Sequence, residues 1–165
     1  MNNNEKGMSI IVKTVTRWIK GFIFLFGLSI VLFGHLTPGG GFPGGVIFAA
    51  TFILITLAFG KEYVLKKIGK TLASELDSLG ALLFLIIATL GIYFSGIFFS
   101  NFIEKTHPTG NFKLFSSGII PLCNISIGMK VGSCLFMIFI IVSVVRVIFE
   151  DGKGKLITTE KKDKK

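Results

Sequence analysis

This sequence has few of the residues that carry out reactions. Its 165 residues include two cysteines, two histidines, and nine acidic residues against eighteen lysines and arginines. It has no P-loop, no cysteine cluster, no His/Glu spacing suited to a metal and no nucleophile beside a base. Cys123 and Cys134 stand eleven residues apart in one apolar helical pattern. That is about 16 Å of rise, too far for a disulfide within a straight helix, so both read as small apolar residues. A water-soluble domain is also missing, since the longest polar segment is 150–165. The chain is therefore expected not to be an enzyme by itself and to hold neither cofactor nor metal. Its net charge of +9 does not point to nucleic acid, because the basic residues flank apolar runs instead of alternating with exposed aromatics.

Half of the chain is hydrophobic, and the mean hydropathy is +0.75. Several apolar runs approach the roughly 20 residues that a helix needs to cross a bilayer. The fold class expected is all-α integral membrane, with four transmembrane helices. The first span is placed at 18–36 and the second at 42–60. The third starts at the capping-box pattern Ser74-Glu75-Leu76-Asp77 and runs to 99. The fourth region, 118–149, is too long for one crossing, so Pro121 is expected to divide a short outer piece from a helix beginning near Leu122. Residues 1–17 read as an N-terminal interfacial helix, 18–149 as the membrane domain and 150–165 as a basic cytoplasmic tail. A polar loop over 101–115 carries the turn signal His107-Pro108-Thr109-Gly110-Asn111. A signal peptide is not expected at the start, because no small-residue cleavage site follows the first apolar run.

Fifteen of the eighteen lysines and arginines fall before or at the first span, between the second and third, or at or after the end of the fourth. Lys105 and Lys113 lie on the other side, and Lys130 falls inside a span. By the positive-inside rule both termini are expected to be cytoplasmic.

Two stretches carry the unusual residues. The first runs from His35 through Pro38, Gly39, Gly40, Gly41, Phe42, Pro43, Gly44 and Gly45, and is expected to be a structural loop at the membrane boundary. His35 either titrates near neutral pH or holds a structural hydrogen bond. The second surrounds Lys130. At sixteen residues before Arg146, Lys130 is expected about 24 Å above the inner end of its helix, in the outer half of the membrane. It either snorkels to the outer interface or faces a carboxylate or ion path in a neighbouring subunit, since no acidic residue is expected in the outer half of any span. Glu75 and Asp77 read as charges at a helix start on the inner boundary. Asn124 is expected to bond backbone groups that Pro121 leaves unpaired. Gly128 and Gly132 have the small-xxx-small spacing that lets another helix approach, on a face roughly opposite Lys130.

The stretch 34–45, together with Gly118-Ile119-Ile120-Pro121-Leu122 and 125–132, resembles the conserved blocks of the MnhB/MrpB family. The resemblance covers about 18–146. It implies a non-catalytic subunit of an Mrp-type multisubunit sodium/proton antiporter module in the plasma membrane of a prokaryote. Such modules also occur in membrane-bound hydrogenases and sulfur-reducing respiratory complexes. The partners implied are other membrane subunits, the lipid bilayer, sodium ions and protons, and no nucleic acid. The ion-path candidates are Lys130, His35 and Asn124. The alternative is a purely structural assembly subunit.

Overall fold

The computed structural model describes residues 8–68, 70–106, 117–150 and 153–158. The turn expected at 107–111 and the end of the chain beyond 158 lie outside the described residues. The elements are helices α1 (Ile10–Phe33), α2 (Gly41–Phe59), α3 (Lys61–Ile68), α4 (Lys70–Ser95), α5 (Phe102–Thr106) and α6 (Ile120–Val144), then strands β1 (Val145–Glu150) and β2 (Lys153–Thr158). Four of the helices, α1, α2, α4 and α6, are long and apolar enough to cross a membrane. Their outward faces carry Phe22, Leu25, Leu85, Ile92 and Ile141, all exposed, as a bilayer requires.

The central helix is α6. It packs along α2 on one side and α4 on the other, while α1 packs on α2 and touches α6 at an edge. The ends are tied by short elements. At one end the Met8 N–H donates to the Ala58 carbonyl at 3.1 Å. There Val64 of α3 is buried with Ala73, Phe136 and Ile140. At the other end Ile87, Ile119 and Cys123 form a second cluster, with Phe102 of α5 against it.

Several sequence expectations are corrected. The segment read as an interfacial helix running into the first span is continuous with it in α1, because nothing between Ile10 and Phe33 interrupts the helical hydrogen bonds. Within the glycine–proline run only 34–40 is a turn. The N–H groups of Leu36 and Thr37 and the Thr37 hydroxyl all donate to the Phe33 carbonyl, which closes α1. Gly40 then takes a φ of 127°, a backbone conformation natural to glycine. Gly41, Phe42, Pro43, Gly44 and Gly45 are helical. Pro43 is tolerated because N–H groups in a first turn have no helical acceptor.

Ser74-Glu75-Leu76-Asp77 is not a helix start either, since α4 begins at Lys70, where packing of Ala73 against α3 and α6 extends the helix. That helix ends at Ser95, before the expected 99. Gly96 has a φ of 68°, and the chain doubles back so that the Phe99 N–H donates to the Ala88 carbonyl at 3.1 Å. Helix α6 starts at Ile120 with Pro121 buried in its first turn, and it runs as one helix to Val144. Beyond it the chain forms an antiparallel hairpin, Val145 opposite Thr158 through Glu150 opposite Lys153, where the sequence suggested an apolar span to 149 and then a basic tail. Val, Ile and Phe dominate 145–149, a composition suited to a strand.

Candidate functional site: an intramembrane lysine–aspartate pair

Glycines set the position of α6. A Cβ at Gly45 would lie 2.8 Å from Val131 Cβ and 2.9 Å from the Gly128 carbonyl oxygen. A Cβ at Gly132 would come 3.3 Å from the Gly45 oxygen, and one at Gly128 would come 3.1 Å from Val31 of α1. Gly41 sits against the backbone of Asn124. The small residues of α2 and α6 therefore face each other inside this chain, and α1 closes over them. On its other flank α6 meets Gly80 of α4, where a Cβ would lie 2.8 Å from the Ser126 oxygen and 2.9 Å from the Lys130 nitrogen. Such backbone proximity substitutes for the hydrophobic driving force that helices lack in lipid.

This seam fixes Lys130. Its ammonium pairs with the Asp77 carboxylate, Nζ to Oδ1 at 3.2 Å. Asp77 precedes Gly80 by three residues, so it lies about one turn along α4 from the contact with the Lys130 backbone. Lys130 stands about 15 Å from the start of α6 and Asp77 about 10 Å from the start of α4, so both lie within helices long and apolar enough to cross a membrane.

The expected partner of Lys130 in another subunit is therefore corrected, while its place, ten residues from the start of the 25-residue α6, stays in the half of the helix nearer that start. Its partner is in the same chain, and Arg146, from which its depth was gauged, lies on β1 and not on the helix. Asp77, read as a charge at a helix start, lies seven residues into α4, within a helix long and apolar enough to cross a membrane. The side chains of Lys130 and Asp77 are 49% and 34% exposed, so the pair sits at the surface of this chain and not in its interior.

The other ion-path candidates do not join it. His35 lies half-buried in the α1–α2 turn. Asn124 lies against the start of α2, its Oδ1 3.6 Å from where a Gly40 Cβ would be, on a different face of α6 from Lys130. No hydrogen bond from the Asn124 side chain to freed backbone is found among the described residues. Pro121 leaves little to satisfy there, because it lies in a first turn.

Two features were missed. Thr71, Ser74, Glu75 and Ser78 line a shallow groove on the outward face of α4, a polar stripe on a spanning helix. Their i, i+3, i+4, i+7 spacing was the available signal. Asn101 ties the chain between the end of α4 and the start of α6. It donates to the Ser117 carbonyl at 3.2 Å and accepts from the Ile119 N–H at 3.1 Å.

Inside the bundle the buried hydroxyls turn back on their own helices. Thr51 donates to the Ile47 carbonyl, Thr56 to Phe52, Ser126 to Leu122, and Ser133 to Met129. Among the described residues no set of three His, Cys, Asp or Glu side chains could hold a metal.

Comparison with known proteins gives a consistent result. Residues 11–137 match a family described as a domain related to the MnhB subunit of Na+/H+ antiporters. An uncharacterised protein of Methanocaldococcus jannaschii is 39% identical over 127 residues, 75% of this chain and 48% of that protein, so the chain spans about half that relative's length. A Staphylococcus aureus protein named for an antiporter subunit, mnhB2, is 36% identical over 97 residues, 59% of this chain and 68% of that one. Among solved structures, a chain of the membrane-bound sulfane sulfur reductase, an archaeal respiratory membrane complex, superposes with a TM-score of 0.67 at 32% identity, covering 84% of this chain and 59% of that one. With four spanning helices and a family match over most of its length, this chain belongs to the membrane-protein family of domains related to the MnhB subunit of Na+/H+ antiporters.

Proposed function

We propose that this chain is a non-catalytic subunit of an Mrp-type antiporter module, either in an antiporter or in a respiratory membrane complex. In this reading it helps to form a path for sodium ions or protons at its boundary with a neighbouring subunit, in the plasma membrane of a prokaryote. The observation that carries this is the Lys130–Asp77 pair, inside the membrane and half-exposed at the chain's surface. Ionisable groups at that depth face protein or a water-filled path, because a lone charge at the centre of a span costs about 2.5–3.5 kcal/mol or more. The buried hydroxyls, satisfied within their own helices, favour a path along the surface and not through this chain. The polar stripe of α4 calls for a protein neighbour on that side. In the module, the ammonium of Lys130 beside Asp77 shapes the potential that a passing cation meets.

A second reading has its own support: the pair joins α4 to α6 beside the Gly80 contact, and so is placed to staple the fold. The double substitution Lys130→Leu/Asp77→Leu separates the two, because it removes both charges at once. A staple replaced by apolar side chains leaves ion exchange intact in the assembled complex. An ion-path pair does not.

A further inference from the structure

On the flank of the α4–α6 seam opposite Lys130 and Asp77, a half-enclosed cleft of about 260 Å³ opens between α1 and α4, floored by α6. Phe24, Phe52, Leu76, Met129 and Phe136 form most of its wall. Its one hydroxyl is already engaged, since Ser133 Oγ donates to the Met129 and Lys130 carbonyls at 2.7 and 3.1 Å. A polar ligand would find no partner there. The cleft is also smaller than the usual drug-sized pocket, and a second helix, about 10–12 Å across, does not fit in it.

A basic stripe leads into this cleft. Lys13, Arg17, Lys20 and Phe24 are spaced four, three and four residues apart, so they fall on one line along α1. Lys20 lies about 6 Å and Arg17 about 10 Å from Phe24 towards the N-terminal end of α1. Trp18, 72% exposed, stands at the same level, where an interfacial tryptophan belongs. We propose that the cleft holds an acyl chain of an anionic phospholipid from the leaflet in which α1 begins, with the phosphate at Arg17 and Lys20. The combination of a dry slot for one chain and two cations at its mouth selects this occupant over a zwitterionic lipid or a partner helix.

The test uses the assembled complex in vesicles of phosphatidylcholine and phosphatidylglycerol, in which one lipid at a time carries a photoreactive group on its acyl chain. The result expected is cross-linking of the phosphatidylglycerol probe to peptides bearing Phe24, Met129 and Phe136, several-fold above the phosphatidylcholine probe. Arg17→Gln/Lys20→Gln should lower it by about fivefold or more. Met129→Trp, which fills the cleft, should abolish it. If Met129→Trp does not assemble, the Arg17/Lys20 variant decides alone. Equal labelling by the two lipids, labelling unchanged in the Arg17/Lys20 variant, or no lipid label on the cleft peptides would overturn the proposal.

Discussion

The hydrogen that glycine carries in place of a side chain decides how closely α6 meets its neighbours. At Gly80 the atoms in the way are largely backbone, and at Gly45 they are the Gly128 carbonyl oxygen and the Val131 side chain, whose Cβ is fixed by the backbone and cannot rotate aside. We expect Gly45→Ala and Gly80→Ala each to destabilise the chain by about 1–3 kcal/mol, read as an earlier thermal transition of the purified complex. Gly21 is the control. It lies mid-helix with no atom within 4 Å of an added Cβ, so Gly21→Ala should be neutral or stabilising by up to about 1 kcal/mol. Equal losses at all three positions would contradict the packing account. The same logic extends to Lys130, because a methyl at Gly80 pushes on the Lys130 backbone and so disturbs the ion pair as well as the seam.

At the scale of elements, α2 shows what its residues mean in context. Five glycines and two prolines between two apolar runs read as a loop, yet Gly41–Phe59 is one helix whose first turn includes Pro43. Pro43→Ala should therefore change stability by less than about 0.5 kcal/mol. Gly44→Val, which drives a side chain into Val31 of α1, should block assembly, and normal complex yield for that variant would refute the assignment.

The four spans were legible because hydropathy alone marks them. The face shared by Gly128 and Gly132 was legible from its spacing. Asp77 as the partner of Lys130 was not, because the pairing depends on α4 starting at Lys70 and on the register of two antiparallel helices, which no local pattern encodes. The continuity of the N-terminal stretch with the first span was legible too, because lysines and an arginine on one stripe of a helix do not interrupt its backbone. The hairpin after Val144 was hidden by an apolar run that suits strand as well as helix.

At the scale of the whole molecule, the N-terminal end of α1, the C-terminal end of α2, α3 and the start of α4 gather at one end of the bundle. The positive-inside rule assigns that end to the cytoplasm. Cysteines placed at Thr37 and Lys66, with Cys123 and Cys134 replaced by alanine, should label from opposite sides of sealed vesicles, with Lys66 on the cytoplasmic side, and labelling of both from one side would contradict this topology. The central claim is that the charged pair in the α4–α6 seam serves ion movement and not only cohesion. The most direct measurement is sodium-dependent proton exchange in vesicles containing the assembled complex with Lys130→Ala, Asp77→Ala or Lys130→Leu/Asp77→Leu. The account predicts that each assembles and that exchange falls by about tenfold or more in all three, including the double variant that carries no stranded charge. Wild-type exchange in the assembled double variant would contradict it and leave the pair as a staple.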